Sequence, residues 1–203
     1  MKQNKAHWEQ VFKTKTPEQV SWTESYPKTS VGFIQAFKLK KNTPIIDIGG
    51  GDSLLIDALL DLGFTDLSVL DISKKALQRA QKRLGSRSDK VNWIASDIIE
   101  FEPKRKYGLW HDRACFHFLT KNEEIDKYKS IIKQSKSEYF VLGTFSTSGP
   151  EKCSGLMIKQ YDCERLETCF NDYFDLQECA EVAHTTPFDT IQKFVFSRFK
   201  RTF

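Results

Sequence analysis

Short runs of consecutive apolar residues alternate with longer stretches in which apolar side chains recur every three or four positions, and the two patterns take turns along most of the chain. The short runs suit strands covered on both faces, and the longer ones suit amphipathic helices lying on a sheet. Their alternation predicts β-α-β units around a mostly parallel sheet, a doubly wound α/β fold. Strands are expected over residues 45–48, 67–70, 91–95, about 107–112 and 139–145. Two more, over 174–182 and 191–199, read as an antiparallel pair at the sheet edge. Helices are expected over about 53–62, where Leu54, Leu55, Ala58, Leu59 and Leu62 share one face, then from a Ser73 cap to about Leu84, over about 122–133, and over 163–170. Gly63 and Gly85 stand where the first two should stop. Residues 5–12 and 29–39 read as helices split by a loop with Pro17 and Pro27, and residues 149–155 read as a loop.

A chain of 203 residues can bury one substantial core and is short for two. One domain over 1–203 is therefore expected, a helical cap over 1–42 and an α/β core over 43–203. Apolar residues at 39% and charged residues at 29% are ordinary for a soluble protein, so composition does not choose among enzymes. The sixteen phenylalanines do change the picture, because they call for a bulky core or an aromatic-lined pocket. The net charge of +4 sits in scattered runs such as Lys38, Lys40 and Lys41, or Lys104, Arg105 and Lys106. A nucleic-acid footprint would be a concentrated basic face, so a nucleic-acid partner is not expected. No apolar run is long enough to span a bilayer, and the first residues lack the apolar stretch of a signal peptide, so no membrane partner is expected. The five cysteines, with no Cys-x-x-Cys pair, argue against a disulfide framework and a zinc site and for a reducing, cytoplasmic setting.

The segment with the most chemistry is Ile45-Ile46-Asp47-Ile48-Gly49-Gly50-Gly51-Asp52-Ser53, a strand running through glycines into a helix. Glycine lets the backbone take positive φ and approach a ligand closely, and the helix start adds unpaired N–H donors. A nicotinamide-type fingerprint wants a third glycine at position 54, where this chain has Leu54. Asp47, just before the turn, would hinder a pyrophosphate and attract a cationic amino group. Asp71 closes the second strand, where a carboxylate can accept from both hydroxyls of a ribose. Asp97 follows the third strand, placed to accept from an adenine amine, with Ile72 and Ile98 against the ring. For Asp71 and Asp97 the competing reading is a helix or turn cap.

Asp47-x-Gly49-x-Gly51 with Asp71 and Asp97 in register with three successive strands resembles the class I S-adenosylmethionine (SAM) dependent methyltransferases. The resemblance runs from about Ile45 to Phe199. It implies a Rossmann-like, seven-stranded sheet whose last strand is antiparallel, amino-terminal helices over the cofactor, and SAM as cofactor. Asp47, Gly49, Gly50, Gly51, Asp71, Ile72, Asp97 and Ile98 are the expected cofactor contacts, with His111 and the loop residue Trp22 added to them.

The fourth strand and its exit, Trp110-His111-Asp112-Arg113-Ala114-Cys115-Phe116-His117-Phe118, should face the methyl group and the acceptor. The segment lacks the Asn-Pro-Pro-Tyr or Asp-Pro-Pro-Tyr pattern of many DNA-base methyltransferases, which turns the expectation toward a small molecule or a protein side chain. Methyl transfer from a sulfonium is an in-line displacement, so positioning and exclusion of water matter most. Where the acceptor must lose a proton, Asp112, His117 and His184 are the candidate bases. Packing between Phe116 and Phe118 competes with that role for His117, and a structural role competes with it for His184. A non-catalytic SAM-binding protein and a dinucleotide-dependent oxidoreductase are the alternative functions.

Overall fold

The computed structural model describes residues 2–202. Its elements are α1 (Lys2–Thr14), α2 (Lys28–Gln35), β1 (Ile45–Ile48), α3 (Leu55–Asp61), β2 (Leu67–Asp71), α4 (Lys74–Leu84), β3 (Val91–Ala95), β4 (Leu109–Arg113), α5 (Asn122–Gln134), β5 (Tyr139–Phe145), β6 (Lys152–Cys153), β7 (Leu156–Met157), α6 (Cys163–Phe170), β8 (Phe174–Thr185) and β9 (Ile191–Arg201). The seven-stranded sheet runs β3-β2-β1-β4-β5-β9-β8. β1 pairs in parallel with β2 and β4, β2 with β3 and β4 with β5, while β9 is antiparallel to both β5 and β8. The doubly wound sheet expected from the apolar runs is therefore present, with the last strand reversed and inserted beside the edge.

Period-two alternation divides the strand residues between two cores. On one face Ile45, Leu67, Val69, Leu109 and Val141 pack beneath α2, α3 and α4. On the other Ile46, Ile48, Trp110, Phe140 and Leu142 pack beneath α5 and α6. That second core holds much of the phenylalanine. The Phe140 ring has Phe170, Phe199 and Phe174 at centroid distances of 5.0, 5.4 and 5.7 Å.

Element ends depart from expectation where local hydrogen bonds compete. The 53–62 helix starts only at Leu55, because the Ser53 hydroxyl accepts the Leu55 N–H at 3.1 Å ahead of the first turn. The 29–39 helix stops at Gln35, and the chain leaves through Lys38 at φ 51°. β4 begins at Leu109, since Tyr107 and Gly108 first donate to the carbonyls of Ser135 and Pro44. The expected 149–155 loop contains the β6–β7 hairpin, whose turn residues Ser154 and Gly155 both take positive φ. Cys163 and Cys179 form a disulfide with a Cα separation of 5.8 Å. This corrects the expectation of unpaired thiols: spacing along the chain does not reveal that the start of α6 lies against β8.

Truncating the centre of the aromatic core tests this packing. Phe140→Ala should lower unfolding stability by about 3–5 kcal/mol in a urea titration, and a loss below about 1 kcal/mol would contradict the packing described.

Candidate active site

β1, β2, β3 and β4 end on the same side of the sheet, and one cavity opens there. The Gly49–Gly51 turn forms its floor. It hangs on a carbonyl near the end of β2: the N–H groups of Gly49 and Gly50 both point at Leu70 O, at 2.7 and 3.3 Å. Gly50 has no room for a side chain, since a Cβ would stand 2.5 Å from Asp47 Oδ2 and 2.9 Å from Val69 Cγ1. Gly51 takes φ 52°, and a Cβ there would project to 3.2 Å from Asp71 Oδ2. From α4, Arg83 grips the carbonyls of Asp52 and Ser53 and the Asp57 carboxylate, while Arg79 pairs with Asp52 at 3.3 Å.

All ten sequence-expected cofactor contacts line this cavity. Asp71 Oδ1 accepts the Ser73 N–H at 2.7 Å, and the Gly51 N–H also faces the carboxylate. Burial, reinforced by the charges of Asp52 and Asp47, pushes its pKa up to about 7. Asp97 accepts the Ile99 N–H at 3.2 Å, so it caps a turn and faces the cavity at once; burial raises its pKa too. Five carboxylates line the cavity (Asp47, Asp52, Asp71, Asp97 and Glu124) against a single guanidinium, Arg113. This balance favours a cationic guest.

The cover comes from the amino-terminal segment. Glu9 of α1 accepts the N–H groups of Lys74 and Lys75, the first two residues of α4, at 2.7 and 3.3 Å. A carboxylate at a helix start satisfies orphan donors and the positive end of the dipole. The latch brings Trp8 and Phe12 over the cavity, where Trp8 meets Trp22 at 5.8 Å and Phe118 at 5.2 Å. Trp22 is fixed in this wall, because its carbonyl accepts from Arg113 Nη1 at 3.1 Å.

The β1–β4 register places Asp47 beside His111 on the α2 face. His111 Nδ1 lies 2.7 Å from Asp47 Oδ1, and Nε2 lies 2.9 Å from Ser30 Oγ of α2. Each of the three is at most 2% exposed, yet each borders the cavity. Sequence reading missed Ser30, as nothing local distinguishes this serine in a helix. The signal available was Asp47 and His111 at matching strand positions. Arg113, Cys115, Trp8 and Phe118 also line the cavity.

The structure does not bring the three expected bases to the cavity wall. Asp112 follows His111 in the strand and so points to the opposite face. There its Oδ1 accepts the N–H groups of Cys115 and Phe116 at 2.9 and 3.1 Å, and Oδ2 accepts the Tyr128 hydroxyl at 2.8 Å. Burial lifts its pKa to about 6. His117 is fully buried, accepts the Phe145 N–H at 3.3 Å, and has its pKa pushed down to about 3 by burial and the Arg113 charge. His184 donates from Nε2 to the Ser21 carbonyl at 2.6 Å and stands 3.7 Å from Glu24, fastening the amino-terminal loop to β8. Each of the three holds the scaffold. Cys153 borders the cavity, but burial pushes its thiol up to about 12, which leaves it a poor nucleophile.

With strands numbered along the sheet, the order is 3-2-1-4-5-7-6, the last strand antiparallel, and the site lies at the carboxyl edge near the switch point. This is a Rossmann-like fold of a particular kind. The whole chain superposes on solved proteins that share it. A SAM-dependent methyltransferase from Anabaena variabilis matches with a TM-score of 0.75 at 16% identity, covering 98% of this chain and 95% of that one. The N-methyltransferase NodS from Bradyrhizobium japonicum, solved with S-adenosylhomocysteine (SAH), matches with a TM-score of 0.70 at 14% identity, covering 96% and 98%. No family model matches. In sequence, an eEF1A lysine and N-terminal methyltransferase from Bos taurus is 23% identical over 119 residues, which is 58% of this chain and 17% of that protein. Malonyl-[acyl-carrier protein] O-methyltransferase 2 from Ilyobacter polytropus is 26% identical over 91 residues, 44% of this chain and 35% of that protein. The chain therefore spans about a sixth to a third of the length of these curated relatives. The chain thus shares its fold with these SAM-dependent methyltransferases, and the two partial sequence matches are to methyltransferases as well.

Asp112→Ala strands two buried N–H groups and a buried hydroxyl. It should cost about 3–5 kcal/mol of stability in denaturant titration. Where the variant is folded, SAH affinity in calorimetry should change by less than about threefold, since Asp112 does not line the cavity. A selective loss of SAH binding would return Asp112 to the site.

Proposed function

We propose that the protein is an enzyme that moves a methyl group from SAM to a small molecule or a protein side chain. The observation that carries this reading is the placement of Asp47, Asp71 and Asp97 at the ends of β1, β2 and β3 around a turn in which Gly50 cannot carry a Cβ. These residues fit SAM chemically. Asp71 would accept the ribose hydroxyls, Asp97 the adenine amine between Ile72 and Ile98, and the excess of carboxylates suits a molecule with a sulfonium and an ammonium group. When bound, SAM supplies an electrophilic methyl group on a good leaving sulfur. The chain's own contribution is positional: the glycine turn admits the cofactor backbone-close, and Trp8, Phe12, Trp22 and Phe118 close over it and exclude water. The relatives named above act on a protein and on an acyl-carrier-bound acid, and both acceptor classes stay within this proposal. Among the described residues no helix is long and apolar enough to cross a membrane. The free thiols Cys115, Cys153 and Cys169 support a reducing, cytoplasmic setting, and the Cys163–Cys179 bond weighs against it.

Binding should reveal Asp71 through pH. Its folded-state pKa of about 7 lies above the ordinary carboxylate value of 3.8, so between these values the folded protein keeps a proton the unfolded chain has released. Stability of the ligand-free protein should fall as pH rises through that window, and Asp112, at about 6, adds in the same direction. Hydroxyl donors favour the ionised carboxylate, so SAH affinity should rise from pH 5.5 to about 7 and level off above that. Asp71→Asn should weaken SAH binding by about 1–3 kcal/mol, roughly 5- to 150-fold, and flatten the pH dependence in calorimetry. A thermal shift with NAD and none with SAH would refute the methyltransferase reading.

A further inference from the structure

We propose that Asp47, His111 and Ser30 form a proton-accepting relay at the acceptor end of the cavity, and that the acceptor is a protic nucleophile, an amine or a hydroxyl compound, that gives up its proton there. The proposal rests on the methyltransferase reading and names the base that reading leaves open.

Its ground is the chain of contacts, carboxylate to imidazole at 2.7 Å and imidazole to hydroxyl at 2.9 Å, built from β1, β4 and α2. Three polar side chains this deeply buried are costly unless they satisfy one another, and apolar residues would seat α2 on the sheet without that requirement. A carboxylate facing Nδ1 selects the tautomer with the proton on that nitrogen. Nε2 then carries a lone pair and accepts the Ser30 hydroxyl hydrogen. Ser30 keeps its own oxygen lone pairs for a group in the cavity it borders. The same order of roles, hydroxyl to imidazole to buried carboxylate, activates hydroxyls on unrelated folds and is recognised by geometry rather than sequence position.

Strand order puts this relay where an acceptor belongs. Asp97, Asp71 and the glycine turn occupy the ends of β3, β2 and β1, which is the adenosine side of the cavity. His111 stands on the next strand over, β4, as does Arg113, and Trp22, whose carbonyl accepts from Arg113, lines the same cavity. Asp112, His117 and His184 are spent elsewhere, as their hydrogen bonds show. In the transfer, the acceptor nitrogen or oxygen forms its bond to the methyl carbon while the carbon–sulfur bond breaks with its electron pair going to sulfur. The acceptor's proton passes to Ser30 Oγ, the Ser30 hydroxyl proton passes to His111 Nε2, and Asp47 holds the imidazolium that results. An acceptor already ionised, such as a thiolate, has no use for this arrangement.

The test uses the full chain with nitrogen-15 histidine, together with Ser30→Ala and Ser30→Thr. Long-range proton–nitrogen spectra of the ligand-free wild type at neutral pH should show His111 protonated on Nδ1 and bare on Nε2. SAH affinity of Ser30→Ala should stay within about threefold of wild type in calorimetry. Transfer of labelled methyl from SAM into cell-extract fractions should fall on the order of 100-fold in Ser30→Ala and recover in Ser30→Thr, which restores the hydroxyl. A proton on Nε2, whether as the other tautomer or as imidazolium, overturns the relay. So do equal transfer by Ser30→Ala and wild type, a loss of SAH binding that matches the loss of transfer, and wild-type protein that binds SAH but labels no fraction. Failure of wild type to bind SAH at all instead overturns the methyltransferase reading, whatever tautomer His111 adopts.

Discussion

Parallel pairing of β1 with both β2 and β4 is the constraint on which the site depends. Parallel strands must leave the sheet in one direction, so the exits of β1, β2, β3 and β4 converge on a single edge. Backbone groups there have used up their strand partners, and the connecting turns must find others. The glycine turn finds Leu70 O, Asp71 takes the Ser73 N–H, and Asp97 takes the Ile99 N–H. What caps the turns also lines the cavity, so the carboxylates serve the fold and face a ligand together.

Burial sets the electrostatics of that edge. Asp71 and Asp112 are both enclosed and both have raised pKa values, but they differ in what satisfies them. Asp112 has three donors from the protein and is complete as it stands. Asp71 faces the cavity with capacity left over, next to two other acids whose charges raise its proton affinity further. A ligand with hydroxyl donors relieves that crowding, which makes binding and ionisation at Asp71 two sides of one equilibrium.

The amino-terminal helix turns an open sheet edge into an enclosed space. Its attachment is made by the Glu9 carboxylate on the first N–H groups of α4, by aromatic contacts among Trp8, Phe12 and Trp22, and by the Arg113–Glu24–His184 cluster behind them. Polar contacts anchor the cover at its margins and rings fill its interior. The result is a cavity with aromatic rings over it and the glycine turn and carboxylates beneath.

The glycine and carboxylate wall of the cavity was legible in the sequence because its signals are local. The glycines, Asp71 and Asp97 each follow an apolar run by a fixed step, and a strand that ends must place its next residue at the edge. Period-two and period-3.6 patterns likewise gave every strand of the main sheet, since side-chain direction follows from backbone geometry alone. The wall on the β4 side was not legible. Asp112 and His117 stand near His111 in the chain but on another face or in another layer, away from the cavity wall. Ser30 reaches His111 across 81 positions of sequence, and Cys163 meets Cys179 only because α6 folds against β8. Contacts of that kind arise from which helix lands on which face of the sheet, a choice made by the packing of the whole chain and recorded in no local pattern.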